Sequence, residues 1–168
     1  PMERLILRIT GLVKNTSSAT VLVILPTLLV SFFNWGLGLI FGAILARKVG
    51  EYAQTHAISI NYPLIGACGY SGLMVWHGGI SGSAPIKVAE SGHLKGLLEN
   101  SASSDVLSRL PDTISTALTV FSYWNLILFA LVALFITVLA YYLSKKTSTT
   151  TTDLKGYQFK TTERKQLQ

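Results

Sequence analysis

The residues best suited to chemistry lie in one short stretch that is rich in glycine and hydroxyl side chains and carries no charge. It covers residues 70–85. Glycine weakens a helix and proline cannot continue one, so this stretch predicts backbone N–H groups without intrahelical partners. Such amides, together with hydroxyl groups, suit a carboxylate or a partly dehydrated cation. An ordinary loop at a membrane face is the alternative. The candidate residues of this nest are Gly79, Ser81, Gly82 and Ser83.

Four further side chains could complete a polar and aromatic site. Asn34 places an amide among aromatic residues in an apolar stretch, where a hydrogen bond between helices is the alternative role. Trp35 or Trp76 would add an indole ring to such a site. His77 is either an interfacial hydrogen-bonding group or a proton carrier. Neither metal-ligand spacing nor a nucleophile and base pair occurs in the apolar stretches, so we expect no metal site and no enzyme.

The composition around these residues is that of an integral membrane protein. Charged residues make up only 13% of the 168 residues. Three stretches, about residues 19–46, 57–85 and 114–143, contain no Asp, Glu, Lys or Arg. Each is long enough to span a bilayer, which takes about 20 apolar residues. We therefore expect an all-α integral membrane protein, a polytopic helical bundle with broken or re-entrant segments rich in Gly and Ser.

The first apolar stretch predicts an interrupted helix, and the third predicts a plain one. Residues 15–46 are too long for one straight helix across a hydrocarbon core of about 30 Å. Either Pro26 or the sequence around Asn34 could break that helix. Gly38 and Gly42 form a G-x-x-x-G pair, which favours a close helix contact. The third stretch has aromatic residues at both ends, as a spanning helix does, and we expect it to be scaffold.

The segments outside these stretches predict the topology. Residues 1–14 have the spacing of an amphipathic interfacial helix, with a helix remnant as the alternative, and residues 87–112 predict a loop with a short surface helix. Residues 147–168 predict a polar, disordered cytoplasmic linker. Since Lys and Arg favour the cytoplasm, we expect the turn at Arg47 and Lys48 inside and residues 1–14 outside, despite their own basic residues. The net charge is +6, but the basic residues form no patch with interleaved aromatic residues, which argues against nucleic-acid binding.

Three motifs resemble those of the bacterial short-chain fatty acid transporter family. They occur in order at residues 33–48, 62–67 and 76–85, within a resemblance that covers residues 1–142. The resemblance implies that residues 1–146 are a partial transmembrane transporter domain from a longer chain. His77 stands where some relatives carry glycine, and it would affect proton coupling or selectivity if it faces the site.

The function implied by the resemblance is multi-pass, ion-coupled uptake of short monocarboxylates, such as acetoacetate or butyrate, across the bacterial inner membrane. A proton or sodium ion would be the coupling ion, and no other cofactor is implied. The expected partners are the carboxylate and the lipid bilayer, with a homo-oligomer left open. The alternative hypothesis is a non-transporting membrane anchor or subunit that docks a soluble partner on the basic tail. An uptake assay separates the two, because an anchor moves no substrate.

Overall fold

The structure is a computed structural model that describes residues 8–146, and these residues form helices and no β-strand. Residues 8–10 are helical, and two 3-10 turns, Ser71–Met74 and Trp76–Gly78, follow α3. Residues 1–7 and the predicted linker at residues 147–168 lie outside the described part of the chain. The α-helices are α1 (Thr16–Phe33), α2 (Trp35–Thr55), α3 (Tyr62–Gly69), α4 (Ser83–Ala89), α5 (His93–Leu98), α6 (Ser104–Arg109) and α7 (Tyr123–Lys146).

Helices α1 and α2 form an antiparallel hairpin that turns at one residue, Asn34. The backbone of Asn34 is extended (φ −151°, ψ 117°), and its N–H donates to the carbonyl of Val30 at 2.9 Å, which closes α1. Its Oδ1 accepts from the N–H of Leu37 at 2.9 Å, which caps α2. Pro26 lies inside α1 without ending it. The predicted break in the first apolar stretch is therefore at Asn34.

The second apolar stretch runs alongside α1 as residues 62–80, here named the broken segment. At one end the N–H of Asn61 donates to Thr16 Oγ1 at 3.1 Å, beside the start of α1. At the other end the N–H of Ile80 donates to the carbonyl of Phe32 at 2.7 Å, beside the end of α1. Between these two bonds, α3 gives way to the two 3-10 turns. The segment therefore covers the whole length of α1, but only its first part is an α-helix.

Helix α7 packs along α1 in the opposite direction. Near one end the rings of Phe129 and Phe32 have centroids 4.9 Å apart, and near the other end Ser144 Oγ lies 2.8 Å from Ser17 Oγ. Among the described helices, α1 and α7 are long and apolar enough to cross a membrane. Only 11% of the most apolar window of α7 is buried, so most of this helix faces outward. The core lies between α1, α2 and α3 and includes Ile24, Leu28, Leu45, Val49 and Ile65.

The two ends of the bundle differ in charge. At the end where α1 begins, the basic residues outnumber Glu51, which forms ion pairs with two of them; they are Lys14, Arg47, Lys48, Lys145 and Lys146. At the opposite end, α4 to α6 form a loop of three short helices rather than the one expected. Its four acidic residues, Glu90, Glu99, Asp105 and Asp112, exceed its three cations, Lys87, Lys95 and Arg109, by one.

The hairpin corrects the expectation for the N-terminal residues. We expected residues 1–14 on the opposite side from Arg47 and Lys48, as if the first apolar stretch crossed once. Because α1 and α2 turn back at Asn34, residues 8–14 lie at the same end as these two cations. Val13 is buried against the core there.

Candidate functional site

Four of the predicted site residues meet where the hairpin turns: Asn34, Trp35, Trp76 and Ser81, here named the hinge cluster. The N–H of Trp35 donates to Ser81 Oγ at 2.9 Å, across 46 residues of sequence. The indole rings of Trp35 and Trp76 have centroids 5.6 Å apart. The hydrogen bond from Ile80 to Phe32 holds the end of the broken segment beside them. The fold therefore joins the polar residues of the first two apolar stretches.

The hinge cluster uses its acceptor atoms for structure and leaves donors unused. Asn34 Oδ1 is taken by the N–H of Leu37, and Ser81 Oγ is taken by the N–H of Trp35. The Nδ2 group of Asn34 and the hydroxyl proton of Ser81 donate to no other described residue. An amide NH₂ offers two donors and a hydroxyl offers one. Since both residues are at least partly exposed, these donors can reach an anionic ligand.

Gly79 and Gly82 let the backbone come close to neighbouring carbonyl groups. The sequence predicted instead a nest of N–H groups that are free to bind a ligand. A Cβ on Gly79 would lie 2.4 Å from the carbonyl oxygen of Phe32, and one on Gly82 would lie 2.3 Å from that of His77. Their N–H groups donate at 3.0 Å to the carbonyls of Trp76 and Gly79, respectively. The amides of these two glycines are therefore already bonded in this conformation.

His77 follows Trp76 in the sequence, Ser83 lies two residues after Ser81, and both are exposed. Ser83 is the first residue of α4, and its hydroxyl bonds to no described residue. The ring of His77 stacks on its neighbour Trp76 with centroids 3.9 Å apart. His77 also lines a cavity against α7, so it contacts both Trp76 of the hinge cluster and that cavity.

This cavity, of about 140 Å³, lies between the broken segment and α7. That is well below the roughly 300–1,000 Å³ of drug-sized pockets, so it suits a molecule of a few heavy atoms. Polar groups lie at the part formed by His77, Gly78 and Asn125, and the remaining walls are apolar. The lining residues are Met74, Val75, His77, Gly78, Asn125, Leu128, Phe129 and Val132.

Asn125 is the residue that the sequence interpretation missed. Its Nδ2 donates to the carbonyl of Gly78 at 2.8 Å and to that of Val120 at 2.7 Å, which joins α7 to the second 3-10 turn. Helix α7 was expected to be scaffold, yet it supplies a wall and a polar anchor of the cavity. The available signal was an amide beside aromatic residues inside a charge-free stretch, the same signal that identified Asn34.

Comparison with known proteins places the chain in a family. The family model described as short chain fatty acid transporter matches residues 1–168. The chain belongs to the short-chain fatty acid transporter family. The match extends past residue 142, where the sequence resemblance ended, and no solved structure matches the chain. The family is one of transport proteins, which agrees with the expectation that the chain is not an enzyme.

Two curated relatives are both named "Putative short-chain fatty acid transporter". The one from Escherichia coli (strain K12) is 36% identical over 99 residues, which are 52% of this chain and 22% of the relative. The one from Haemophilus influenzae (strain ATCC 51907 / DSM 11121 / KW20 / Rd) is 34% identical over 85 residues, 51% of this chain and 18% of the relative. The matched region thus spans about a fifth of each relative's length.

Family membership and the two long apolar helices together identify a helical membrane protein. The described residues contain no group of three or more His, Cys, Asp or Glu side chains that could hold a metal ion. What the site offers to a small molecule is therefore hydrogen-bond donors, two indole rings and an apolar cavity.

Proposed function

We propose that the chain is part of a secondary carrier that moves short-chain monocarboxylates, such as acetoacetate or butyrate, across the bacterial inner membrane together with a coupling ion. The observation that carries this proposal is the broken segment, which lies between two apolar helices and ends at the hinge cluster. Irregular backbone at membrane depth is tolerated only where protein buries it or where it lines a wet cavity. Carriers place their substrate sites at such interruptions. Family membership supports the same function.

The proposed topology has several crossings. Helices α1, α2 and α7 and the broken segment would each cross the membrane, since each joins the basic end of the bundle to the end that carries the loop of α4 to α6. Basic residues favour the cytoplasmic side. The end with Lys14, Arg47 and Lys145 would therefore face the cytoplasm, and the loop of α4 to α6 would face outward.

The substrate carboxylate would bind to donors, because an anion needs N–H or O–H groups rather than oxygen acceptors. The unused donors of Asn34 and Ser81 meet this requirement, and His77 lies beside them. No Lys or Arg lies in the broken segment, so uncharged donors would carry the recognition. Ser83 would add a further hydroxyl at the start of α4.

The alkyl tail would bind in apolar surroundings next to those donors. The cavity beyond His77 offers Val75, Leu128 and Phe129, while Trp35 and Trp76 present ring faces at the hinge. Gly79 would contribute by letting the segment lie close to Phe32 of α1, and Gly82 by letting the chain fold back on the carbonyl of His77. A cavity of about 140 Å³ favours a short tail.

The test uses Asn34→Asp in the full-length protein, reconstituted in proteoliposomes. Aspartate keeps an oxygen that can cap α2 but removes the Nδ2 donors, so the fold should persist and uptake of radiolabelled butyrate should fall. Asn100→Asp makes the same chemical change in an exposed part of the outer loop and should leave uptake unchanged. Proton and sodium gradients are imposed separately, so that accumulation under one of them names the coupling ion.

Two results would count against the proposal. If Asn34→Asp combined with Ser83→Ala transports butyrate like the wild type, the substrate binds elsewhere. If the wild-type protein accumulates neither butyrate nor acetoacetate under either gradient, the carrier function fails for these substrates. The anchor hypothesis then becomes the better explanation.

A further inference from the structure

Two cavities lie one after the other where the broken segment faces α7. The first cavity is the one described above, of about 140 Å³, with His77, Gly78 and Asn125 at its polar part. The second cavity, of about 290 Å³, lies between α7 and the part of the broken segment that contains α3. No Asp, Glu, Lys or Arg lines either cavity, so both suit an apolar group. The side chains that line the second cavity are mainly aliphatic and include Leu64, Ile136, Leu139 and Leu143.

On the α7 side, the walls of the two cavities are continuous. Side chains that line the first cavity recur every three or four residues from Asn125 to Val132, and those that line the second continue at this spacing from Ile136 to Leu143. Residues three or four apart lie on one face of an α-helix. Val132 and Ile136 are about one turn apart, so the same face of α7 lines both cavities.

On the other side, one side chain lies between the two cavities. Met74 is the last residue of the first 3-10 turn, and among the described residues it alone lines both cavities. The next residue, Val75, lines the first cavity, while Ser71, at the start of the same turn, lines the second. Met74 is 61% exposed, so it is not part of the packed core. Its side chain therefore separates the two cavities without holding the helices together.

We propose that Met74 sets the upper limit of tail length for the monocarboxylate substrate. The inference deepens the proposed function and rests on it, because it takes the tail to lie in the first cavity with the carboxylate beside His77. A tail longer than the first cavity would meet the Met74 side chain before it reached the second cavity. Removing that side chain would join the two cavities along the shared face of α7 and admit a longer acid.

The experiment measures how strongly unlabelled straight-chain acids, from butyrate to octanoate, inhibit uptake of radiolabelled butyrate by the full-length protein in proteoliposomes. In Met74→Ala, the inhibition constant of octanoate relative to that of butyrate should fall by about tenfold or more. One methylene in an apolar pocket already changes discrimination by about 10–200-fold. Because the ratio compares two acids on one variant, it does not depend on the amount of active protein.

Leu73→Ala is the matched control. It removes a large apolar side chain from the same 3-10 turn, but Leu73 lines neither cavity, so this variant should keep the wild-type ratio. Met74→Leu retains an apolar side chain of similar volume and should also keep that ratio. Folding of each variant is checked by size-exclusion chromatography. Since Met74 is exposed, its replacement should leave the elution profile unchanged.

The proposal is overturned if Met74→Ala takes up butyrate with the wild-type ratio, and the proposed function then survives. It is also overturned if Leu73→Ala changes the ratio as much as Met74→Ala does. Binding of radiolabelled octanoate to the purified protein in lipid nanodiscs, above that of empty nanodiscs, tests the role of Met74 without transport. If the wild type takes up no butyrate, octanoate binding gained in Met74→Ala but not in Leu73→Ala would support the barrier and refute the carrier. Absence of both uptake and such a gain would refute both.

Discussion

Gly42→Ala should destabilise the fold, although alanine is the better helix former. Gly42 lies inside α2, where alanine gains about 0.5–1 kcal/mol in helix propensity. Its Cβ, however, would lie 2.2 Å from the carbonyl oxygen of Gly69 and 2.9 Å from Thr27 Cγ2. Ordinary contact begins near 3.4 Å, so α3 would have to move away from α2 by roughly 1 Å, enough to lose a substantial part of their dispersion energy. Overpacking of this kind costs about 1–3 kcal/mol. Because the clash is with a backbone carbonyl, the cost should lie in the upper part of this range, about 2–3 kcal/mol, which leaves a net loss of about 1–2.5 kcal/mol.

Gly66→Ala provides the matched control. Gly66 is also inside a helix, but a Cβ there would meet no atom within 4 Å. Alanine should therefore stabilise α3 by up to about 1 kcal/mol. The assay heats the purified full-length variants in detergent and measures the fraction that stays monodisperse by size-exclusion chromatography. Gly42→Ala should unfold at a lower temperature than the wild type and Gly66→Ala at an equal or higher one. Equal midpoints for the two variants would refute the close contact between α2 and α3.

Three further predictions concern the hinge, the cavity and the topology. Ser81→Ala should lower the free energy of unfolding by about 0.5–1.5 kcal/mol, because the exposed N–H of Trp35 loses its acceptor. Ser83→Ala should leave the unfolding temperature unchanged, and the reverse order would contradict the hinge bond. Asn125→Leu should lower the free energy of unfolding by about 2–3 kcal/mol, because it leaves two carbonyls unpaired. A variant that melts at the wild-type temperature would show that these bonds are dispensable. Cysteines introduced at Lys14 and Lys145 should react with an impermeant thiol reagent from the cytoplasmic side only, and one at Leu97 from the outside only. Labelling of the first two from opposite sides would exclude the hairpin topology.

The sequence predicted which stretches are helical and where the irregular backbone lies. Absence of charge located the apolar stretches, and the glycines around residues 70–85 correctly placed the interruption that follows α3. The G-x-x-x-G pair was correctly interpreted as a close contact, since Gly38 packs on Ser31 and Gly42 packs on Thr27. These features depend on local chemistry, which is why composition and spacing were sufficient to find them.

The partners of the polar side chains could not be predicted in the same way. Whether Ser81 offers an acceptor or a donor depends on the N–H of Trp35, which is distant in sequence. The direction of the chain after α1 depends on one residue, because a break at Asn34 reverses the chain where a bend would not. Asn125 looked like an ordinary residue at the start of a spanning helix until its carbonyl partners were known. Such features arise from tertiary contacts rather than from local pattern.

The carboxylate site proposed at the hinge lies on the broken segment, and this gives a physical route for coupling. His77 belongs to the second 3-10 turn of that segment, so a bound carboxylate would contact its irregular part. Short 3-10 turns have poorer hydrogen-bond geometry than an α-helix, so they rearrange more readily than α1 or α7. If butyrate and the coupling ion favour the same arrangement of these turns, linkage requires their effects to be reciprocal. A saturating concentration of the coupling ion should then lower the Kd for butyrate by the same factor by which butyrate lowers the Kd for that ion. Butyrate binding that does not change with either ion would refute a shared arrangement.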